Sequence, residues 1–126
     1  MANVAIVEDD KAISEMYRIK FEADGYKVFM AENGKVGLEV VEQNKPDIIL
    51  LDIMMPIMTG DEMLRELRKT DYGKNVKVII LTNVSKDDAQ TKLKDLKVDG
   101  YVVKAHFTPQ EVVDMVKTAL ATPSPT

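Results

Sequence analysis

The stretch Ile48-Ile49-Leu50-Leu51-Asp52-Ile53-Met54-Met55-Pro56, written "IILLDIMMP", decides the fold. Its four leading aliphatic residues, entered through Pro46, read as a strand covered on both faces, since a half-buried strand would alternate apolar with polar positions. A carboxylate inside such a run would be costly unless paired or metal-bound, so Asp52 belongs at the strand's end. That position makes it a candidate for chemistry.

Working outward, strand-like and helix-like segments take turns. Asn3 to Val7 ("NVAIV") is short, β-branched and apolar. "KAISEMYRIKFEADGY" follows, with Ile13, Met16, Tyr17, Ile19 or Lys20, and Phe21 near helical spacing until Gly25 stops it. Lys27 to Ala31 ("KVFMA") is a second strand, and "GKVGLEVVEQNK" a second helix carrying Val36, Leu38, Val40 and Val41. Beyond the opening stretch, "TGDEMLRELRKT" sets Met63, Leu64 and Leu67 on one side and Glu62 and Glu66 on another, and Val76 to Thr82 ("VKVIILT") is plainly strand-like. A fourth helix is expected from Ser85, where Ser85 and Asp88 resemble a capping box. Gly100 to Lys104 ("GYVVK") is a fifth strand, and the last helix starts with Thr108 as N-cap and Pro109 at its first position.

Five near-continuous apolar strands separated by helices imply a doubly wound α/β domain with a parallel sheet covered on both faces. Ligands of such sheets bind outside the carboxyl ends of the strands, where strand order reverses.

Composition excludes several rival chemistries. The chain has 126 residues, one ordinary domain, with no cysteine and a single histidine, His106. Disulfides, thiolate catalysis and cysteine or histidine metal clusters are therefore ruled out. Formal net charge is −4 with basic residues scattered, so no direct nucleic-acid binding is expected. The amino terminus lacks a signal-peptide pattern and no run approaches a membrane span, which predicts a soluble cytoplasmic protein.

Strand one ends in Glu8-Asp9-Asp10, strand three in Asp52, strand four in Thr82-Asn83 and strand five in Lys104. Carboxylates brought that close repel and raise one another's pKa unless a cation lies between them. An all-oxygen set favours Mg²⁺, with Mn²⁺ as substitute, and both commonly partner phosphate. Thr82 can donate to a phosphoryl oxygen and Lys104 can neutralise another, so the constellation suits phosphoryl transfer.

Four motifs in order, "VEDD" after strand one, "LLDIMMPIMTG" around strand three, "LTN" after strand four and "GYVVKA" at strand five, resemble the receiver domains of two-component response regulators. The resemblance runs from about Asn3 to Leu120. It implies a flavodoxin-like (βα)5 fold with strand order 2-1-3-4-5, a receiver over residues 1–121, and a disordered tail or linker start at 122–126. It also implies that Asp52 is the phosphoacceptor, taking phosphate from a histidine kinase or phosphotransfer protein. Asp9, Asp52 and the Met54 carbonyl would bind Mg²⁺ directly, and Glu8 through a metal-bound water. Lys104 would hold the phosphoryl group or the Asp52 carboxylate, while Thr82 would move toward the phosphoryl oxygen. Tyr101 matches the family's switch aromatic, coupling the site to the face of helix four, strand five and helix five; a fixed core tyrosine is the alternative. The implied output is a downstream protein partner, an effector domain or a phosphorylation-linked homodimer.

Plainer roles fit other residues. Asp10 is expected to cap the first helix, Met54, Met55, Met58 and Met63 to pack rather than bind a hard cation through sulfur, and His106 to be an exposed loop residue. Two positions depart from the family. Lysine is usually followed by a cis proline, whereas here Ala105 follows Lys104; a non-proline cis bond costs about 2.5 to 4 kcal/mol, and cis geometry is nevertheless expected because the aim of Lys104 depends on it. Asn83 stands where a small residue is usual, which narrows access. With apolar Met54 and Val84 two positions beyond Asp52 and Thr82, attacking water is expected to be poorly oriented and the phosphoryl group long-lived.

Rival functions lack their sequence signatures. A flavin carrier needs a hydroxyl- or glycine-rich phosphate loop where "VEDDKAIS" is acidic, an aspartyl phosphatase would carry a second acid where Met54 stands, and a nucleotide switch needs G-x-x-x-x-G-K-[ST]. A degenerate receiver acting as a phosphate-independent interaction module is opposed by the intact acid, threonine and lysine set.

Overall fold

A computed structural model describes residues 2–121, so the expectation for 122–126 lies outside the described residues. Five strands alternate with five helices: β1 (Asn3–Val7), α1 (Lys11–Ala23), β2 (Lys27–Ala31), α2 (Gly34–Asn44), β3 (Ile48–Leu51), α3 (Gly60–Leu67), β4 (Lys77–Thr82), α4 (Lys86–Lys92), β5 (Gly100–Val103) and α5 (Pro109–Ala121). All strand pairs are parallel, in the order β2-β1-β3-β4-β5. The flavodoxin-like doubly wound fold is thus the one expected.

The period-2 alternation of strand side chains divides the core. Val4, Ile6, Ile48, Leu50, Ile79 and Leu81 face α1 and α5, packing on Tyr17, Phe21, Val112, Val113 and Val116. Ala5, Val7, Ile49, Leu51, Val78 and Ile80 face the other way, onto Val41, Met63, Leu64, Leu67, Ala89 and Leu93. Central β3 is buried throughout, which is why it carries no polar alternation.

Local signals end the helices where expected. Gly25, at φ 91°, terminates α1 in a Schellman motif: its N–H donates to the Glu22 carbonyl at 3.0 Å, and that of Tyr26 to the Phe21 carbonyl at 3.0 Å. The rings of Phe21 and Tyr26 meet edge to face at 5.4 Å across that cap. Asp10 caps α1, accepting from the N–H of Ala12 at 3.0 Å and of Ile13 at 3.2 Å. At α5, Thr108 and Glu111 form a reciprocal capping box.

One face differs from the sequence reading. Of the apolar set assigned to α1, Ile19 is 58% exposed and Met16 is exposed too, while Ser14 is buried. At 3.6 residues per turn, Ile19 lies about 200° round the helix from Tyr17 and points away from the sheet.

Candidate functional site

Strand register assembles the site. Val7 pairs with Leu51, and β4 runs on to Thr82, opposite Val103 of β5. The residues that follow, Glu8, Asp52 and Lys104, consequently emerge side by side at the carboxyl end of the sheet. The Glu8 N–H donates to the Ala31 carbonyl and the Asp52 N–H to the Val7 carbonyl, each at 3.0 Å, so both acids have backbones fixed by the sheet.

The loop after Asp52 is held just as firmly. The Gly60 N–H donates to the Ile53 carbonyl at 2.8 Å, and a Cβ at Gly60 would overlap the Asp52 carbonyl oxygen. Only glycine permits that approach. Thr59 and Glu62 close a capping box at the start of α3. Between these locks the Met58 N–H donates to the Pro56 carbonyl at 2.7 Å, a γ-turn centred on Ile57, whose φ is 68°. That left-handed conformation costs a β-branched residue about 1 to 2 kcal/mol.

These elements form an open cavity of about 210 Å³ lined by Glu8, Asp9, Asp52, Met54, Thr82 and Lys104 together with Asp10 and Asn83. Carboxylate oxygens of Glu8, Asp9 and Asp52 lie within 4.8 Å of one another, an arrangement able to hold a metal ion. The Asp52 side chain is only 8% exposed, and its Oδ2 accepts from Lys104 Nζ at 3.2 Å. Lys104 Nζ also donates to Glu8 Oε1.

The electrostatics are unresolved by protein groups alone. Burial pushes the Glu8 carboxyl up to about 7, helped by Asp52 and opposed by Lys104. Burial would depress Lys104, but its hydrogen bonds and charge pairing with Glu8 and Asp52 outweigh this and hold it above its ordinary value. One ammonium thus pairs with two of the three clustered carboxylates, and the donor set, hard oxygens with no soft ligand, suits a small divalent cation.

Residues 4–117 match the family described as the response regulator receiver domain. The chain belongs to that family. The phosphate regulon transcriptional regulatory protein PhoB of Pseudomonas aeruginosa is 33% identical over 122 residues, 97% of this chain and 53% of that protein. The receiver therefore spans about half the length of the curated relatives it matches. The receiver domain of the Francisella response regulator 1452 superposes with a TM-score of 0.85 at 32% identity, covering 96% of this chain and 98% of that one. The response regulator TrrA of Thermotoga maritima, solved in complex with Mg²⁺-BeF, gives a TM-score of 0.80 at 32% identity over 94% of this chain and 99% of that one.

Glu8, Asp9, Asp52, Met54, Thr82 and Lys104 lie together at this end of the sheet, and Tyr101 stands two residues before the end of β5. Thr82 is buried at the tip of β4, its Oγ1 accepting from the Val84 N–H at 3.3 Å. Tyr101, in register with Ile80, shares the sheet face of Thr82 and is partly buried, which raises its pKa. Met54 is 57% exposed on the cavity's rim, its N–H donating to Asp52 Oδ1 at 3.4 Å. His106 is exposed.

The expectation of a cis Lys104–Ala105 bond is corrected: there is no cis peptide among the described residues. Without a proline ring the trans form keeps its full advantage, and a 3₁₀ turn over Lys104–His106 delivers the ammonium to Glu8 and Asp52. The Glu8–Lys104 contact was not anticipated, because the strand order brings both residues to one end of the sheet without fixing which acid the lysine side chain reaches. No local pattern encodes the turn at Ile57.

Proposed function

We propose that this receiver accepts a phosphoryl group on Asp52 from a phosphohistidine of a histidine kinase or phosphotransfer protein. The observation that carries the reading is the convergence of the nearly buried Asp52 carboxylate with Lys104 at 3.2 Å and with the oxygens of Glu8 and Asp9 within 4.8 Å. An Asp52 oxygen forms the new bond to phosphorus while the phosphorus–nitrogen bond breaks, its electron pair remaining on the departing imidazole. Bound Mg²⁺, which TrrA carries together with BeF, would be held by Asp9, Asp52 and the Met54 carbonyl, with Glu8 beyond a water. It supplies charge neutralisation for the transferring phosphoryl group.

The chain's own residues do the rest. Lys104 orients Asp52 before transfer and pairs with a phosphoryl oxygen after it; Thr82 donates its hydroxyl to another. As Thr82 shifts, the space beside Tyr101 on the same sheet face changes, and the output surface of α4, β5 and α5 follows by a population shift. That surface meets a downstream protein, an effector domain or a second copy. The reading places the receiver in the cytoplasm, as a signalling domain rather than a conventional enzyme. Apolar Met54 and Val84 leave attacking water poorly oriented, so the acyl phosphate persists well beyond seconds in a decay assay, while the bulk of Asn83 narrows access to Asp52.

Intact-mass spectrometry after incubation with acetyl phosphate tests this. A single phosphoryl adduct that requires Mg²⁺ and is absent from Asp52→Ala is expected. Mg²⁺ binding without any adduct, from acetyl phosphate or kinase, would instead favour an interaction module.

A further inference from the structure

Of the three non-glycine residues with positive φ among the described residues, Lys45, Ile57 and Asp95, only Ile57 is β-branched. Glycine would occupy that turn without penalty. The turn cannot relax, because the Met58 carbonyl accepts from the Gly34 N–H at 3.0 Å on one side and Gly60 is seated on the Asp52 backbone on the other. Nor does the side chain repay the conformation by packing, since Ile57 is 79% exposed. A large apolar group held in an unfavourable backbone state, on a rigid loop and in water, has its benefit outside the domain.

We infer that Ile57, together with Met54 on the same loop, is the apolar contact that selects the phosphohistidine-bearing donor protein. This rests on the proposed phosphoacceptor role of Asp52 and adds a specificity-determining residue to it. The occupant follows from continuity with the reaction cavity. Met54 lines that cavity and stands exposed at its rim, and three residue steps place Ile57 at most about 10 Å away along the chain. A protein bringing its phosphorus to a carboxylate that is 8% exposed must close over this rim. A donor no larger than acetyl phosphate fits within a cavity of about 210 Å³ and has no need of the ledge. The two donor classes therefore separate the role of Ile57 from the chemistry at Asp52.

The test compares wild type with Ile57→Gly, Ile57→Asn and Ile57→Leu. The donors are acetyl phosphate and, from a panel of purified autophosphorylated histidine-kinase cores, the one that transfers fastest to wild type. With the kinase, Ile57→Gly and Ile57→Asn should raise KM about tenfold with little change in maximal rate, as expected for loss of one buried aliphatic contact. Ile57→Leu, apolar but unbranched at Cβ, should restore most of the loss. With acetyl phosphate all four proteins should react at equal rates, and Ile57→Gly should melt above wild type. Unchanged kinase KM in Ile57→Gly, a parallel loss with acetyl phosphate, or no transfer from any core to a wild type that acetyl phosphate phosphorylates would each overturn the inference. A wild type that takes no phosphoryl group from either donor would overturn the phosphoacceptor reading itself.

Discussion

The two ends of the sheet treat buried charge in opposite ways. At the carboxyl ends of β1 and β3, Glu8, Asp9 and Asp52 cluster, a single ammonium contacts Glu8 and Asp52, and burial raises Glu8 so that it holds a proton up to about pH 7. At the amino ends of β4 and β5, the half-buried guanidinium of Arg68 meets backbone carbonyls instead. Its Nη1 donates to Gly73 at 2.8 Å and Val76 at 2.7 Å, and its Nη2 to Lys97 at 2.6 Å. Among the side-chain nitrogens and oxygens of the described residues, its Nε alone is buried without a hydrogen-bond partner. At the amino end the backbone satisfies all but one donor nitrogen of the half-buried cation, whereas at the carboxyl end acids outnumber the ammonium, the imbalance that the proposed function assigns to a cation and a phosphoryl group.

The sharpest way to break this contrast is to disturb the backbone beneath the acids. Gly60→Ala places a methyl group against the Asp52 carbonyl, where overpacking on backbone should destabilise the domain by about 3 kcal/mol and abolish phosphorylation. Urea denaturation and the intact-mass assay read the two losses together.

Next in size is the opposite end. Arg68→Met should cost about 2 kcal/mol, by leaving the Gly73, Val76 and Lys97 carbonyls without their donor. Folded Arg68→Met should still form the Asp52 adduct at the wild-type rate, so stability and chemistry separate at this residue. Equal damage to both would erase the distinction between the ends.

The smallest effect concerns pH. Burial raises Glu8 from 4.5 to about 7, so the folded domain binds this proton more tightly than the unfolded chain does. In the metal-free receiver its stabilising contribution is complete below the unfolded value and is lost as pH rises through about 7. A divalent cation requires the ionised acids, so Mn²⁺ affinity, followed by electron paramagnetic resonance, should rise about tenfold between roughly pH 6 and 8. A flat profile would mean that Glu8 takes no part in the metal's surroundings.

The same contrast explains what could be read from the sequence. Ile48 to Leu51 announce a two-faced strand, and Glu8, Asp52, Thr82 and Lys104 each follow an apolar run, so the site was legible as a set of strand ends. Which acid the lysine reaches was legible only in part: Lys104 was matched to Asp52, and its added contact with Glu8 depends on side-chain placement at the strand ends that appears only in three dimensions. Arg68 looks like any charged residue of a helix end, its carbonyl partners being contributed by two separate loops. Met16 and Ile19 misled because apolar character was read without the helix's phase against the sheet. The trans Lys104–Ala105 bond followed local amide energetics over the family's pattern.

Location of the phosphoryl group tests the central claim most directly. After reaction with acetyl phosphate and Mg²⁺, borohydride reduction converts an aspartyl phosphate to homoserine, and peptide mass spectrometry locates the converted residue. Conversion confined to Asp52 is the predicted result. Conversion at Asp9 or Asp10, or phosphate retained on His106 with Asp52 untouched, would contradict it.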